Sequence, residues 1–359
     1  MARTKRTGLP SLNRGPINQQ LEVRPAEQPP DSKIPTVLRF PLVTIFSLGI
    51  SLALRSISSP FSTGDLGNVT TQRDDWVEIA GFVGWRIADL ALAWWSVYDG
   101  MSRERLVIDA WLTSSLAWDA GSLTFLAHLP YYYLLVLCYG IRPTTIMNSL
   151  AIDVAASAVP FYFFRQLSPA NSSHAPKSAV ANRPVVKDKG VQIFTALAAA
   201  GVYSLIIYGS FRSWLPVFLI THFEGLRDLE GIHEAVFGVI VLGCIFNGIA
   251  AMSFIFTPSM AAKPDTHDAK NAAFNPATAS FGETVSHNIW GHSKRTRTLA
   301  KRTLAVIVAS GGHTLLQTSL VLEGAETTGA AGWATMWASA AAVTGMLYWW
   351  IGNAEGVSN

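Results

Sequence analysis

From residue 36 onward the chain is a succession of long apolar stretches separated by polar segments. Six stand out: Thr36–Leu54, Ile146–Phe164, Gly190–Tyr208, Ala235–Phe256, Leu304–Leu322 and Gly329–Ile351. Each has the roughly 17–25 residues a helix needs to cross a hydrocarbon core about 30 Å thick. Two further spans are more polar. Val77–Tyr98 holds Arg86 and Asp89 in its middle, but Trp76, Trp94, Trp95 and Tyr98 sit at its ends, where amphipathic rings prefer the headgroup level. Leu123–Gly140 completes the set of eight. The stretch before it, Leu106–Gly121 with Asp109 and Asp119, is expected to lie along the interface. In lipid, backbone polar groups must be bonded within the segment, so spans of this kind are helices. The expected fold class is all-α: a polytopic membrane helix bundle of about eight transmembrane helices over residues 36–351.

The charges between spans set the orientation. With eight spans and a cytoplasmic N-terminus, twenty-one Lys and Arg fall inside; Arg55, Arg73, Arg142, Arg212 and Arg227 fall outside. A ninth span at Leu106–Gly121 would leave twelve inside and fourteen outside. The Lys/Arg bias therefore selects eight spans with both ends cytoplasmic. Residues 1–35 then form a disordered, Pro-rich basic tail, 165–189 and 258–301 are flexible cytoplasmic loops, and 352–359 is a C-terminal tail. Ser213–Phe223 is apolar but too short to span, so it dips into the far-side interface or packs on the bundle.

No apolar core follows the basic start within thirty residues, so the start does not read as a secretory signal peptide. Asn68-Val69-Thr70 is a glycosylation acceptor pattern on the far side, whereas Asn171-Ser172-Ser173 falls in the cytoplasm and should be empty. The expected compartment is the endoplasmic reticulum or another secretory-pathway membrane. The mitochondrial inner membrane is the alternative, because of the basic N-terminus.

Composition agrees with a membrane protein: 50% hydrophobic and 14% charged residues, against roughly 25% charged in soluble domains. A net charge of only +3 gives a nucleic-acid role no support. Expected partners are membrane lipids and other membrane-protein subunits. The cluster Lys294-Arg295-Thr296-Arg297 reads as a positive-inside determinant and can also meet anionic headgroups. Cys138 and Cys244 lie within spans and read as small packing residues.

Candidate chemistry gathers near mid-span. Arg86, Asp89, Asp153, Asn247, His313 and Gln317 all fall inside apolar stretches. A charge at the bilayer centre costs about 2.5–3.5 kcal/mol on insertion scales, so such residues face the bundle interior and seek partners. Arg86 and Asp89 are three apart on one helical face and are expected to pair. Asp153 is left to Arg86, His313 or water, and Gly311-Gly312 beside His313 allow a close helix approach. One reading is interhelical glue; the other is a polar transport pathway through Arg86, Asp89, Asp153 and His313. An alternative is a lipid-acting intramembrane enzyme with His313 or His128 as base and Asp153 orienting it. The histidines show no HExxH or di-iron spacing, and GxSxG and phosphate-binding glycine motifs are absent, so no metal or cofactor is expected.

The stretch His128–Thr145, HLPYYYLLVLCYGIRPTT, places a helix-kinking Pro130 before three tyrosines that must point in three directions. The texture of Leu123–Arg165 resembles that of uncharacterised multi-spanning membrane proteins from fungi, a resemblance that brings no activity with it. The function expected is non-enzymatic: solute transport or membrane-embedded assembly.

Overall fold

Glycine, proline and capping side chains decide where the helices start and turn. The computed structural model describes residues 36–66, 75–97, 114–164, 181–227, 229–234 and 236–354. Four helices come first: α1 Thr36–Leu66, α2 Asp75–Val97, α3 Ser114–Tyr139 and α4 Pro143–Phe164. Gly140 adopts a left-handed φ of 63°, and Pro143 opens α4 with its preset φ. That tight turn makes α3 and α4 an antiparallel hairpin.

Then come α5 Arg183–Lys187 and α6 Lys189–Phe211, the latter capped by Asp188, which accepts from the backbone N–H of Gly190 and Val191. Next are α7 Leu215–His222, α8 Glu230–His233 and α9 Phe237–Ala251, which runs through a π-helical turn, Met252–Phe256, into α10 Thr257–Ala261. Two surface helices follow, α11 Thr266–Ala272 and α12 Phe281–Trp290, each opened by a capping box. Finally α13 Lys294–Val321 and α14 Thr327–Ala354 form a second antiparallel pair. Among the described residues no strand occurs beyond one isolated bridge, Phe223 to Ala325.

The protein is an all-α membrane helix bundle. Among the described residues, six helical stretches are long and apolar enough to cross a bilayer: Leu38–Ser59, Trp118–Tyr139, Pro143–Phe164, Lys189–Phe211, Phe237–Ala261 and Lys294–Val321. The other two expected spans are present as α2 and α14 in the same bundle but are less apolar. Arg86 and Asp89 interrupt α2, and α14 is built largely of Ala, Gly, Thr and Trp. The exterior is apolar, with Leu52, Phe163, Leu205, Val239, Phe246 and Met346 each more than 60% exposed. In water such a surface would aggregate; in lipid it is the solvent-matched face.

Within the bundle, α13 packs on α14, α3 and α2, α4 packs on α3 and α1, and α6 packs on α9 and α14. The α6–α9 contact is close because Gly248 lies against the Ala196 backbone, where any Cβ would collide.

Two local expectations change, and a third that had two outcomes is decided. Helix α1 continues past Leu54 to Leu66, so Arg55 lies on a helix rather than in a loop. Asp119 belongs to α3 and is fully buried rather than interfacial; residues 106–113 lie outside the described residues. Ser213–Phe223 packs on the bundle as α7, with Leu215 and Leu219 fully buried. Its end is tied to the α13–α14 turn by Glu224 N–H to the Gly324 carbonyl (2.7 Å) and His222 Nδ1 to Glu326 (2.7 Å). The proposed acceptor Asn68 and its control Asn171 both lie outside the described residues.

A buried charged cluster as candidate functional site

The α3–α4 hairpin fixes the geometry of the site. Counting back from the α3 end at Tyr139 and forward from Pro143 along α4 at 1.5 Å per residue, His128 lies about 16.5 Å and Asp153 about 15 Å from the turn. The hairpin therefore brings them side by side, and His128 Nδ1 sits 3.1 Å from Asp153 Oδ2. Tyr132, one turn after His128, donates its hydroxyl to the same oxygen at 2.6 Å. Arg55 of α1 donates to the other carboxylate oxygen at 2.6 Å. Asp153 is 2% exposed, so these three bonds replace its hydration.

Arg86 and Asp89 of α2 approach the same cluster from the other side but do not pair as expected. Arg86 Nε donates to Ser47 of α1 at 2.9 Å, and its Nη2 reaches the backbone carbonyl of Asp153 at 3.2 Å. Asp89 accepts from Thr124 at 3.3 Å and lies 3.7 Å from His128 Nε2. The expected partners of Asp153 need a matching correction. Its ion pair comes from Arg55, and Arg86 touches only its main chain. Arg55 was hidden because the apolar run ends at Leu54 while the helix does not.

His128 thus bridges two carboxylates from two helices. On its face lies His313 of α13, the rings nearly parallel at 3.7 Å between centroids. Gly312 leaves room for Trp85 beside His313: a Cβ there would lie 2.7 Å from the Trp85 ring, whose centroid is 5.8 Å from that of His313. Asp89 Oδ1, His128 Nε2 and His313 Nδ1 have no hydrogen-bond partner among the described residues. All four residues singled out as a route, Arg86, Asp89, Asp153 and His313, are at most 3% exposed and meet around His128.

Neither a protein-family profile nor any curated protein or solved structure matches this chain. The site must be read from its own chemistry.

The three tyrosines point three ways. Tyr132 bonds Asp153, Tyr131 lies edge-on to His313, and Tyr133 packs against Trp333 and Trp337. The α3 helix runs on through Pro130, whose carbonyl accepts from Trp333 Nε1 at 2.9 Å.

A second buried charge pair lies further toward the α3 N-terminus. Arg302 of α13 donates to Asp119 through both terminal nitrogens at 3.2 Å. It also reaches the Phe254 carbonyl in the π-helical turn at 2.8 Å. Sequence reading placed Arg302 among the topology-setting basic residues, and nothing in the chain pattern links it to an aspartate 183 residues earlier. Cys138 and Cys244 are buried and unbridged. Asn247 is buried in α9, apart from the cluster, with its carbonyl oxygen unpaired. Among the described residues no group of three or more His, Cys, Asp or Glu has a metal-binding arrangement.

Proposed function

We propose that this multi-pass membrane protein is a transporter whose cycle includes proton binding at the His128–Asp153–Asp89 cluster. The observation that carries this reading is one imidazole held between two buried carboxylates of different helices, His128 at 3.1 Å from Asp153 and 3.7 Å from Asp89, with a second imidazole, His313, stacked on it. Ionisable groups gathered inside a membrane bundle are costly and mark proton relays and transport routes. Two stacked imidazoles cannot both carry charge cheaply, so beyond the one N–H that each neutral ring keeps, the pair has room for a single added proton beside two carboxylates. The groups that face it are Arg55 on α1, Arg86 and Asp89 on α2, Tyr131 and Tyr132 on α3, Asp153 on α4 and His313 on α13.

Arg55, whose side chain is 37% exposed, links this interior to the surface. Moving a proton on or off the cluster changes which helices His128 holds together: doubly protonated, it can face both Asp153 on α4 and Asp89 on α2. That is the coupling a transporter needs between occupancy and helix position.

The lipid-acting enzyme is less well supported. His128 is 4% and His313 3% exposed, and a base attacking lipid needs an opening to the bilayer. The endoplasmic reticulum is the compartment proposed, on the strength of Asn68. Loss of an endoglycosidase-sensitive mobility shift in Asn68→Gln, but not in Asn171→Gln, tests that assignment.

The transport reading is tested with Ser149→Cys and Ser157→Cys, which lie one turn to either side of Asp153 on α4. In proteoliposomes, membrane-impermeant thiol reagents should reach one or both in a pH-dependent manner, and Asp153→Asn should remove the pH dependence. The reading fails if neither cysteine reacts from either side between pH 5 and 8. It fails equally if Asp153→Asn merely lowers abundance and Arg55→Met restores it, the signature of structural charges.

A further inference from the structure

Between α10 and α13, the segment expected as a plain loop builds a short amphipathic helix, one side of which is exposed among the described residues. Ser280 and Glu283 close the capping box that starts α12. Along it Phe281, Val285 and Ile289 recur every four residues and so share one stripe. They are 86%, 38% and 54% exposed. The opposite side is engaged: His287 stacks on Phe274 at 3.9 Å, which fixes α12 against the end of α11. Helix α11 is in turn held to the start of α13 by Arg297, which donates to Asp265 at 3.0 Å, and by Lys294 N–H to Asp268 at 2.9 Å. The apolar stripe is thus presented outward by a braced support.

The depth of this helix follows from its neighbours. Only Gly291, His292 and Ser293 separate α12 from α13. At the first turn of α13, the Arg295 guanidinium lies against Gly352 near the end of α14. Separated from Gly352 only by Ile351 are Trp349 and Trp350, which are 49% and 65% exposed. Outward-facing tryptophans mark the headgroup level. One turn or so deeper, Lys301 lies over the ring of the exposed Trp95 at 4.9 Å. The start of α13, and α12 just before it, therefore lie at the membrane surface. Local charge fits one kind of surface: residues 262–301 carry Lys263, Lys270, Lys294, Arg295, Arg297 and Lys301 against only Asp265, Asp268 and Glu283.

We infer that α12 is an interfacial helix that inserts Phe281, Val285 and Ile289 into the headgroup–acyl boundary of an anionic leaflet. Amphipathic helices of this kind bury their apolar face about 5–10 Å into the boundary and are drawn to anionic lipid by flanking Lys and Arg.

The test uses the full chain in nanodiscs of phosphatidylcholine, with and without phosphatidylserine. An environment-sensitive fluorophore is placed at Val285→Cys on the stripe or at Ser286→Cys on the side facing α11. Wild-type protein, whose two cysteines are buried, is the labelling blank. The probe at 285 should be quenched by shallow spin-labelled lipid and shielded from aqueous iodide, more strongly with phosphatidylserine. The probe at 286 should show the reverse. Iodide access and no lipid quenching at 285 would overturn the inference. So would shielding from both quenchers, since that means a protein covers the stripe. Equal quenching in the two lipid compositions would overturn the anionic preference.

Discussion

The buried Arg302–Asp119 pair offers a sharp test of how this bundle is held together. Asp119 is fully buried and Arg302 is 3% exposed, so neither charge has water to fall back on. Replacing Asp119 by Leu leaves Arg302 with the Phe254 carbonyl and, 5.0 Å away, the Phe254 ring. Breaking a buried pair on one side costs about 3–5 kcal/mol, whereas replacing both partners by apolar groups of similar size is often neutral or stabilising. Asp119→Leu and Arg302→Met should each destabilise by that amount, and the double variant should return close to wild type. Chains of 150–250 residues shift about 2–4 °C per kcal/mol. In this longer chain each single variant should lower the unfolding midpoint by roughly 5–10 °C. The assay is thermal unfolding in detergent, with monodispersity checked by size exclusion at each step. If the two single losses simply add in the double variant, the residues do not act as a pair and the reasoning fails.

Two further outcomes follow from other contacts. Gly248→Ala should loosen the α6–α9 packing, because the added methyl meets the Ala196 backbone rather than a flexible side chain; a cost of roughly 1–3 kcal/mol should appear as a lower unfolding midpoint, and an unchanged midpoint would refute the close approach. Acid should release α11 from α13. Slight burial works against ionisation of Asp265, but N–H bonds from Asp268 and His267 and the Arg297 guanidinium outweigh it and hold its carboxyl below the usual range. A depressed folded-state value means the tether is fully present above the ordinary Asp value of about 3.9 and is lost as pH falls through the folded value. Amide exchange over residues 263–272 should therefore speed up only below about pH 4, and Asp265→Asn should remove that acid dependence.

Much of the bundle was legible because apolar length is a direct physical requirement of the bilayer. The burial of Arg86, Asp89, Asp153 and His313 was legible for the same reason: an ionisable group inside an apolar run is costly and therefore conspicuous. What sequence could not supply was pairing between helices. Arg86 and Asp89 share a helical face, yet Arg86 turns to Ser47 and the Asp153 carbonyl, acceptors on two other helices. Arg55 escaped notice because helix α1 outlasts its apolar run. Asp119 and Arg302 escaped because each stands at the polar margin of its span, where a charge looks cheap. His128 was visible only as a possible base; its role as the bridge between Asp89 and Asp153 depends on the Gly140 turn that sets the α3–α4 register.

The π-helical turn at Met252–Phe256 holds one residue more than an α-helix of the same rise would need. Each extra residue advances the side chains that follow by about 100°. Before the turn, Val239, Leu242 and Phe246 look out to lipid; from Ser253 within it to Ala261 beyond it, every residue is buried. The first half of this span thus shows one face to lipid, whereas the second is enclosed on every side. A single-residue deletion within the turn would barely change the length of the span. It would, however, set the lipid-facing stripe and the Phe254 acceptor of Arg302 at odds, so that only one of them could be correctly aimed. Insertions and deletions should be far better tolerated in the loops than at this one point inside the membrane.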